Sequence, residues 1–287
     1  MKKRALKVLF VGSLVGSLLN FGNVVSASEK DFTSFSTYDG TDIKVGKTLE
    51  DTSKFNVSKA SGVTNEELNV DVKKLDNGIE QTVTTEPNNE KVVYETPFDF
   101  KNGEHIELVK DDEGKTDGSA LVYDKDGESI AVIMPTLALS ESGKELKNVD
   151  ITTVIKNGDT LQQTVDYNGT SQTVKLVTAA ASKSFSDYFS SGSWITRDKV
   201  ISLSLKPKAI LWSNHSQPNA NAALNKDSWA KVKSKFSSSS KWKNEGSIKN
   251  QYDCHYYVAK GTKTPWNLEP SRPNVGYNKT VLAKCNP

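Results

Sequence analysis

The sequence has little of the residues that mark unusual architectures: its 287 residues include only 18 glycines, 9 prolines and 2 cysteines. Low glycine and proline contents exclude collagen-like and low-complexity chains. A charged fraction of 25% excludes a protein that crosses a membrane many times. No Gly-x-Ser-x-Gly, His-Glu-x-x-His or phosphate-binding loop occurs, and we expect neither a cofactor nor a metal. The length leaves room for one large or two ordinary domains.

Charge is distributed unevenly along the chain. Residues 1–27 hold 4 basic residues and no acidic ones, residues 29–181 carry a net charge of −13, and residues 183–284 carry +11. All five tryptophans and both cysteines fall in the last, basic part. Because opposite charges attract, we expect the acidic part to dock on the basic part and mask it.

The N-terminus has the three parts of an export signal. A basic start precedes the apolar stretch 8–21, and the small residues Val25-Ser26-Ala27 provide a cleavage site. Glycine and serine interrupt the apolar stretch and no stop-transfer pattern follows, so a cleaved signal peptide over 1–27 is favoured over a transmembrane anchor. We therefore expect a secreted, extracellular protein of a bacterium, Gram-positive in type.

The acidic part is rich in strand signals. Residues 28–82 are polar with little periodicity and predict a partly flexible leader. Further on, the apolar runs 92–94, 106–109, 120–123 and 130–134 predict strands. Asn157-Gly158 predicts a tight turn that joins 151–155 to 160–165 in a hairpin. Residues 83–178 are thus expected to form an all-β, antiparallel, sandwich-like domain.

The basic part predicts a small α+β domain over residues 190–287, after a linker of small residues over 179–189. Alternation over 200–205 predicts a strand, and Asn225 is expected to cap a helix that carries Trp229, Val232 and Phe236.

Cys254 and Cys285 are expected to form a disulfide, which would contribute about 3 kcal/mol. The alternative is a zinc site that adds His215 and His255, but adjacent Cys and His lack the usual ligand spacing.

One functional hypothesis starts from His255. An imidazole titrates near neutral pH and can act as a general acid or base, with Asp253 or Glu269 orienting it and Arg272 stabilising an anionic intermediate. This hypothesis describes a secreted hydrolase. In the structural alternative, His255 bonds to a backbone carbonyl and Glu269 pairs with Arg272 across a turn.

A second hypothesis starts from seven lysines within residues 226–249, interleaved with aromatic residues. Such a surface attracts anionic targets, here a cell-envelope polymer or lipid headgroups, and an antagonistic effector is one form that the protein could take. The residues expected to contact the target are Lys231, Lys235, Lys241, Lys243, Trp242 and Trp266. The alternative is a solvated lysine face with its aromatic residues buried.

Several short segments of the basic part resemble a secreted bacterial family catalogued as domain of unknown function 2599, over about residues 190–287. They are Lys249-Asn250-Gln251-Tyr252-Asp253-Cys254-His255, Lys263-Thr264-Pro265-Trp266-Asn267-Leu268-Glu269-Pro270-Ser271-Arg272-Pro273, Cys285-Asn286-Pro287, Trp194-Ile195-Thr196-Arg197 and Ser202-Leu203-Ser204-Leu205. The resemblance implies an exported domain without an assigned activity. Ser271 departs from the pattern, since a second tryptophan is common there. In the acidic part, Leu121-Val122-Tyr123-Asp124-Lys125-Asp126-Gly127 and Gly158-Asp159-Thr160-Leu161-Gln162-Gln163-Thr164-Val165-Asp166 are similar to β-domains that precede such modules, which implies a role in delivery, folding or masking.

Overall fold

The computed structural model describes residues 32–51, 68–87, 91–213 and 217–287. The expected signal peptide, residues 1–27, and His215 lie outside the described residues. Within the described ranges, no helix is both long and apolar enough to cross a membrane.

The described residues of the N-terminal part form thirteen strands, and all their pairings are antiparallel. In chain order they are β1 (Phe32–Ser36), β2 (Asp42–Gly46), β3 (Leu49–Glu50), β4 (Asn69–Leu75), β5 (Gly78–Thr85), β6 (Lys91–Asp99), β7 (His105–Leu108), β8 (Ala120–Tyr123), β9 (Ser129–Ile133), β10 (Leu137–Ser140), β11 (Asp150–Lys156), β12 (Thr160–Asp166) and β13 (Val174–Ala181). One sheet has the order β1-β2-β6-β12-β11, and β3 also pairs with β6. The other has the order β4-β5-β13-β9-β8-β7, and β10 also pairs with β13.

The two sheets enclose a shared apolar core, as the sandwich prediction requires. Residues two apart along a strand point to the same face, so the alternating apolar positions of both sheets meet between them. The core draws on the first sheet through Phe35, Ile43 and Leu161, and on the second through Ile79, Val122 and Ile133. The predicted fold class of this part is confirmed.

The predicted hairpin is formed by β11 and β12. Its register pairs Ile155 with Leu161 and Lys156 with Thr160. Residues 157–159 connect the strands, and the Asp159 N–H donates to the Lys156 carbonyl at 3.3 Å. Asn157 and Gly158 have φ values of 56° and 81°, which is the left-handed backbone of a tight hairpin turn.

The sandwich begins earlier than the sequence analysis indicated. Strands β1 to β4 lie within residues 28–82, for which only a polar and partly flexible leader was expected. The expected linker over 179–189 is also ordered, because β13 continues to Ala181 and a short helix starts at Phe185.

In the C-terminal part, residues 185–213 and 217–287 form four α-helices and a three-stranded antiparallel sheet, together with two short turns of other helix types. Its elements are α1 (Phe185–Tyr188), β14 (Phe189–Arg197), β15 (Val200–Pro207), a 3-10 turn (Ala209–Leu211), α2 (Pro218–Phe236), α3 (Glu245–Cys254), a π-helical turn (His255–Ala259), β16 (Trp266–Leu268) and α4 (Tyr277–Leu282). The sheet has the order β14-β15-β16. Leu203 and Leu205 of the central strand are fully buried, and each contributes about 1.5–3 kcal/mol of hydrophobic stabilisation. The predicted disulfide joins Cys254 to Cys285.

One local prediction is wrong. Asn225 does not cap a helix, because α2 already begins at Pro218 and places Asn225 in its interior. Proline is favoured in the first helical turn, where its missing N–H is not needed. The buried Asn225 side chain donates instead to Asp253 of α3, at 3.1 Å.

Candidate functional site

His255 lies in the core of the C-terminal part, at the start of the π-helical turn. Its ring is fully buried and stacks on Trp266, with ring centroids 6.0 Å apart. Neither ring nitrogen makes a hydrogen bond of good geometry within the described residues. Burial, and then the nearby charge of Lys263, lower the pKa of His255 to about 3, while a weak backbone interaction with Asn267 acts in the opposite direction. The imidazole is therefore neutral at physiological pH and is shielded from solvent.

The other three catalytic candidates belong to two separate groups of ion pairs, one at Asp253 and one at Glu269. Asp253 accepts from the Lys249 ammonium, with Nζ 2.6 Å from Oδ2. Glu269 accepts from Nε of Arg272 at 2.5 Å and lies 3.6 Å from the Arg197 guanidinium. No hydrogen bond or ion pair among the described residues links His255 to any of these side chains. Glu269 pairs with Arg272, as the structural alternative expected. The structure does not bring the Asp253, Glu269 and Arg272 side chains into hydrogen-bonding contact with His255.

Sequence reasoning missed Gln251, which connects three of the family-like segments. Its fully buried amide accepts from the Glu269 N–H at 2.8 Å and from the Asn286 side chain at 3.1 Å. The same amide donates to the Glu269 carbonyl at 3.1 Å. A buried amide is costly unless its hydrogen-bonding groups are satisfied, so Gln251 fixes these segments relative to one another. No pattern in the sequence distinguished it from an exposed glutamine.

Of the residues expected to contact an anionic target, Trp266 and Lys231 are largely shielded from solvent. Trp266 is fully buried and donates to the Lys260 carbonyl at 3.1 Å. Lys231 is only 18% exposed and donates to the Ser129 carbonyl of β9 at 2.6 Å. Lys235 is exposed, with its ammonium 4.6 Å from the centroid of the Phe185 ring. Burial and internal pairing thus separate Trp266 and Lys231 from the others.

Three of the remaining candidates, Lys241, Trp242 and Lys243, are consecutive in the chain, and Trp242 packs beside a second tryptophan. We use the name lysine–tryptophan surface for the set Trp229, Lys233, Lys241, Trp242, Lys243 and Lys249. The two tryptophan rings pack with centroids 5.6 Å apart, and the Lys249 ammonium lies 5.6 Å from the Trp229 centroid. Both Lys241 and Lys243 are exposed, and neither forms an ion pair within the described residues.

Helix α2 also packs against the β-sandwich, on a face that is partly apolar. Its buried Ala223 shares a cluster with three residues of the sandwich, Val109, Leu121 and Val132. At the start of the helix, the Asp117 carboxylate accepts from the backbone N–H groups of Asn219 at 2.9 Å and Ala220 at 3.2 Å. The first N–H groups of a helix lack internal partners and attract negative charge. An acidic residue of the sandwich therefore caps a helix of the basic part.

A buried carboxylate strengthens the same contact. Asp227 of α2 is completely buried and accepts at 2.6 Å from both the Ser129 hydroxyl of β9 and the Tyr188 hydroxyl of α1. The Lys231 ammonium lies 3.5 Å from it. Burying a charge is expensive unless it is paired and hydrogen-bonded, and here both conditions are met. Within the described residues, no three side chains among His, Cys, Asp and Glu are grouped in a way that could hold a metal ion.

Comparison with known proteins gives a match only in the C-terminal part. No curated protein and no solved structure matches the chain. One family model matches residues 189–287, the part that contains the disulfide, Gln251 and the lysine–tryptophan surface. This C-terminal segment matches the family described as "Protein of unknown function (DUF2599)", which confirms the resemblance seen in its sequence.

Proposed function

We propose that this protein is exported by a Gram-positive bacterium and that its C-terminal part binds an anionic polymer of the cell envelope through the lysine–tryptophan surface. The observation that carries the proposal is the exposure of Lys241 and Lys243, without carboxylate partners in the described residues, beside the packed Trp229–Trp242 pair. Ammonium groups neutralise an anionic chain, while aromatic faces add contact area that depends little on sequence or salt.

Export is supported by two independent features. The first 27 residues have the basic start, apolar centre and small cleavage residues of a signal peptide. The Cys254–Cys285 disulfide is of the kind that persists in oxidising compartments. An extracellular protein meets envelope polymers before any other polyanion, and an antagonistic effector is one form of this function.

The acidic sandwich is proposed to act as a cover for part of the basic surface. It engages Lys231 and supplies Asp117 as a cap for α2, so one face of this lysine-bearing helix is occupied. The lysine–tryptophan surface involves other residues of the C-terminal part. Binding through it is therefore expected in the intact chain, and removal of the sandwich would free additional positive charge.

The test is retention of the full chain, without its signal peptide, on isolated Gram-positive cell envelopes at low and high salt. Lys241→Glu combined with Lys243→Glu should weaken retention at least tenfold, because each lysine near an anionic surface contributes about 1 kcal/mol. The matched control carries Lys206→Glu and Lys208→Glu, which make the same charge change at exposed positions of the same part.

High salt should release the protein, since it screens the attraction. Equal retention of the two double variants would overturn the assignment to this surface. Retention that does not respond to salt would overturn the electrostatic basis of the proposal.

A further inference from the structure

Three basic side chains from separate segments lie around one carboxylate of the C-terminal part. Arg197 ends β14, Lys263 precedes β16 and Arg272 follows it. The carboxylate belongs to Glu269, whose side chain is only 8% exposed, and it lies 2.5 Å from Arg272 Nε and 3.6 Å from the Arg197 guanidinium. Burial lowers the pKa of Lys263, and the charges of Glu269 and Arg197 are close enough to shift that pKa up and down respectively.

The charges of this group do not balance. Three cations and one carboxylate leave a net charge of +2. Asp198 follows Arg197 in the chain but makes no ion pair within the described residues. The Lys263 ammonium donates to the Lys284 carbonyl at 2.8 Å and to the Asn286 amide oxygen at 3.0 Å, and both of these acceptors are uncharged. Because like charges held close together repel, a bound anion would stabilise the group.

The two arginines keep hydrogen-bond donors for such an anion. A guanidinium has five N–H donors. Within the described residues, Arg272 uses only Nε, on Glu269, and the Arg197 side chain makes its ion pair without a hydrogen bond. The two side chains are 40% and 53% exposed, so their remaining N–H groups are open to a ligand from solvent.

Backbone contacts hold both arginines in position. Arg197 is paired with Val200 in the β14–β15 ladder. The Arg272 N–H donates to the Glu269 carbonyl at 3.1 Å, and the Arg272 carbonyl accepts from the Asn244 side chain at 2.6 Å. Groups that are already ordered lose less entropy when a ligand binds.

We propose that Arg197 and Arg272 bind a phosphomonoester group, to which Lys263 adds positive charge. A phosphomonoester carries a charge of about −1.5 to −2 near neutral pH, which matches the net charge of +2, whereas a phosphodiester or a carboxylate carries a single charge. Its three terminal oxygens can accept from two guanidinium groups at once. The Glu269 carboxylate repels an anion, so the phosphate lies on the solvent side of the arginines, away from it.

This site is distinct from the lysine–tryptophan surface, and the inference does not rest on the proposed function. Two sources offer the same chemistry: a free phosphorylated small molecule and a phosphate end group on the cell envelope.

The experiment titrates the full chain, without its signal peptide, with sn-glycerol 3-phosphate, dimethyl phosphate and glycerate at constant ionic strength, and measures binding by calorimetry. At about pH 7.5 the phosphomonoester is mainly a dianion, because its second pKa is about 6. Glycerol 3-phosphate should bind about tenfold more tightly than the other two anions.

Arg197→Gln and Arg272→Gln should each weaken glycerol 3-phosphate binding at least tenfold, since each removes charge-assisted hydrogen bonds. Arg197→Gln leaves the Glu269–Arg272 hydrogen bond in place, so it carries the test even if Arg272→Gln unfolds the chain. The matched control is Lys206→Gln, which removes one exposed charge from β15 about 20 Å along the strand from the partner of Arg197. It should change the affinity by less than about twofold, because that distance exceeds the screening length.

Three results would each overturn the inference. They are no binding of glycerol 3-phosphate at millimolar concentration, equal affinity for glycerate or dimethyl phosphate, and an equal loss of affinity in Lys206→Gln and Arg197→Gln. Once glycerol 3-phosphate binding is measured, treatment of isolated envelopes with alkaline phosphatase separates the two sources. Lower retention of the unaltered chain, but not of Arg197→Gln, assigns the phosphate to the envelope, and unchanged retention of both assigns it to a free small molecule.

Discussion

The hydrogen bond from Ser129 to Asp227 joins the sandwich to α2, and its removal should measurably weaken their contact. Both residues are buried, and the hydroxyl lies 2.6 Å from the carboxylate. A hydrogen bond to a charged group contributes about 1.5–3 kcal/mol. Ser129→Ala should lower the free energy of unfolding by that amount, because the Tyr188 bond and the Lys231 ion pair remain in place.

Urea unfolding of Ser129→Ala, Asp227→Asn and the double variant measures this coupling directly. Asp227→Asn should cost about 3 kcal/mol, the lower end for a broken buried pair, since Lys231 keeps some exposure. The double variant should be less destabilised than the sum of the two changes, by about 1.5 kcal/mol or more.

A matched control is Ser190→Ala, in which an exposed serine loses a hydrogen bond to the Lys206 carbonyl. That change should stay within about 0.5 kcal/mol. If Ser129→Ala behaves like Ser190→Ala, or if the Ser129 and Asp227 effects simply add, then the carboxylate does not couple the two parts and the reasoning fails.

Three further changes have defined outcomes. Asp117→Ala should cost about 0.5–2 kcal/mol in urea unfolding by removing the cap of α2; no loss would show that water replaces the carboxylate. The unaltered chain should lose stability at acid pH because its buried His255 stays unprotonated, and His255→Phe should abolish this loss. Only the unfolded chain binds the His255 proton between its ordinary pKa of about 6.5 and the native value of about 3, so each pH unit in that window costs about 1.4 kcal/mol. Stability curves of this variant and the unaltered chain that run parallel from pH 7.5 to pH 5 would contradict the burial of a neutral imidazole. Replacing both Cys254 and Cys285 by serine should cost about 3 kcal/mol by opening a loop of 31 residues; unchanged thermal unfolding, measured by calorimetry, would contradict this.

Local patterns in the sequence were sufficient for parts of the fold. The Asn157-Gly158 hairpin is encoded by adjacent residues, and Ala120–Tyr123 is a continuous apolar run that matches β8. Strand β4 escaped notice because it lies at a sheet edge, where its residues are half-buried or exposed. Its position is fixed by pairing with β5 rather than by its own hydrophobicity.

Predicting the candidate site required knowledge of contacts between residues that lie far apart in the sequence. Nothing near His255 in the sequence indicates that its ring is buried against Trp266, so the sequence analysis could not foresee its position in the core. Asn225 was assigned as a cap because the true capping carboxylate, Asp117, is far away in the chain. The exposure of Lys241 and Lys243, by contrast, follows from a hydrophilic stretch after the last apolar residue of α2.

Because Asp117 of the sandwich caps α2, the C-terminal part depends on the sandwich for the stability of its longest helix. If the chain were cut between Ala181 and Phe185 and the two parts were then separated, the Asn219 and Ala220 N–H groups would lose this acceptor, and Asp227 would lose its Ser129 donor. The separated part would then carry a frayed first turn. Proteolysis followed by separation would therefore change the part that remains as well as release the sandwich.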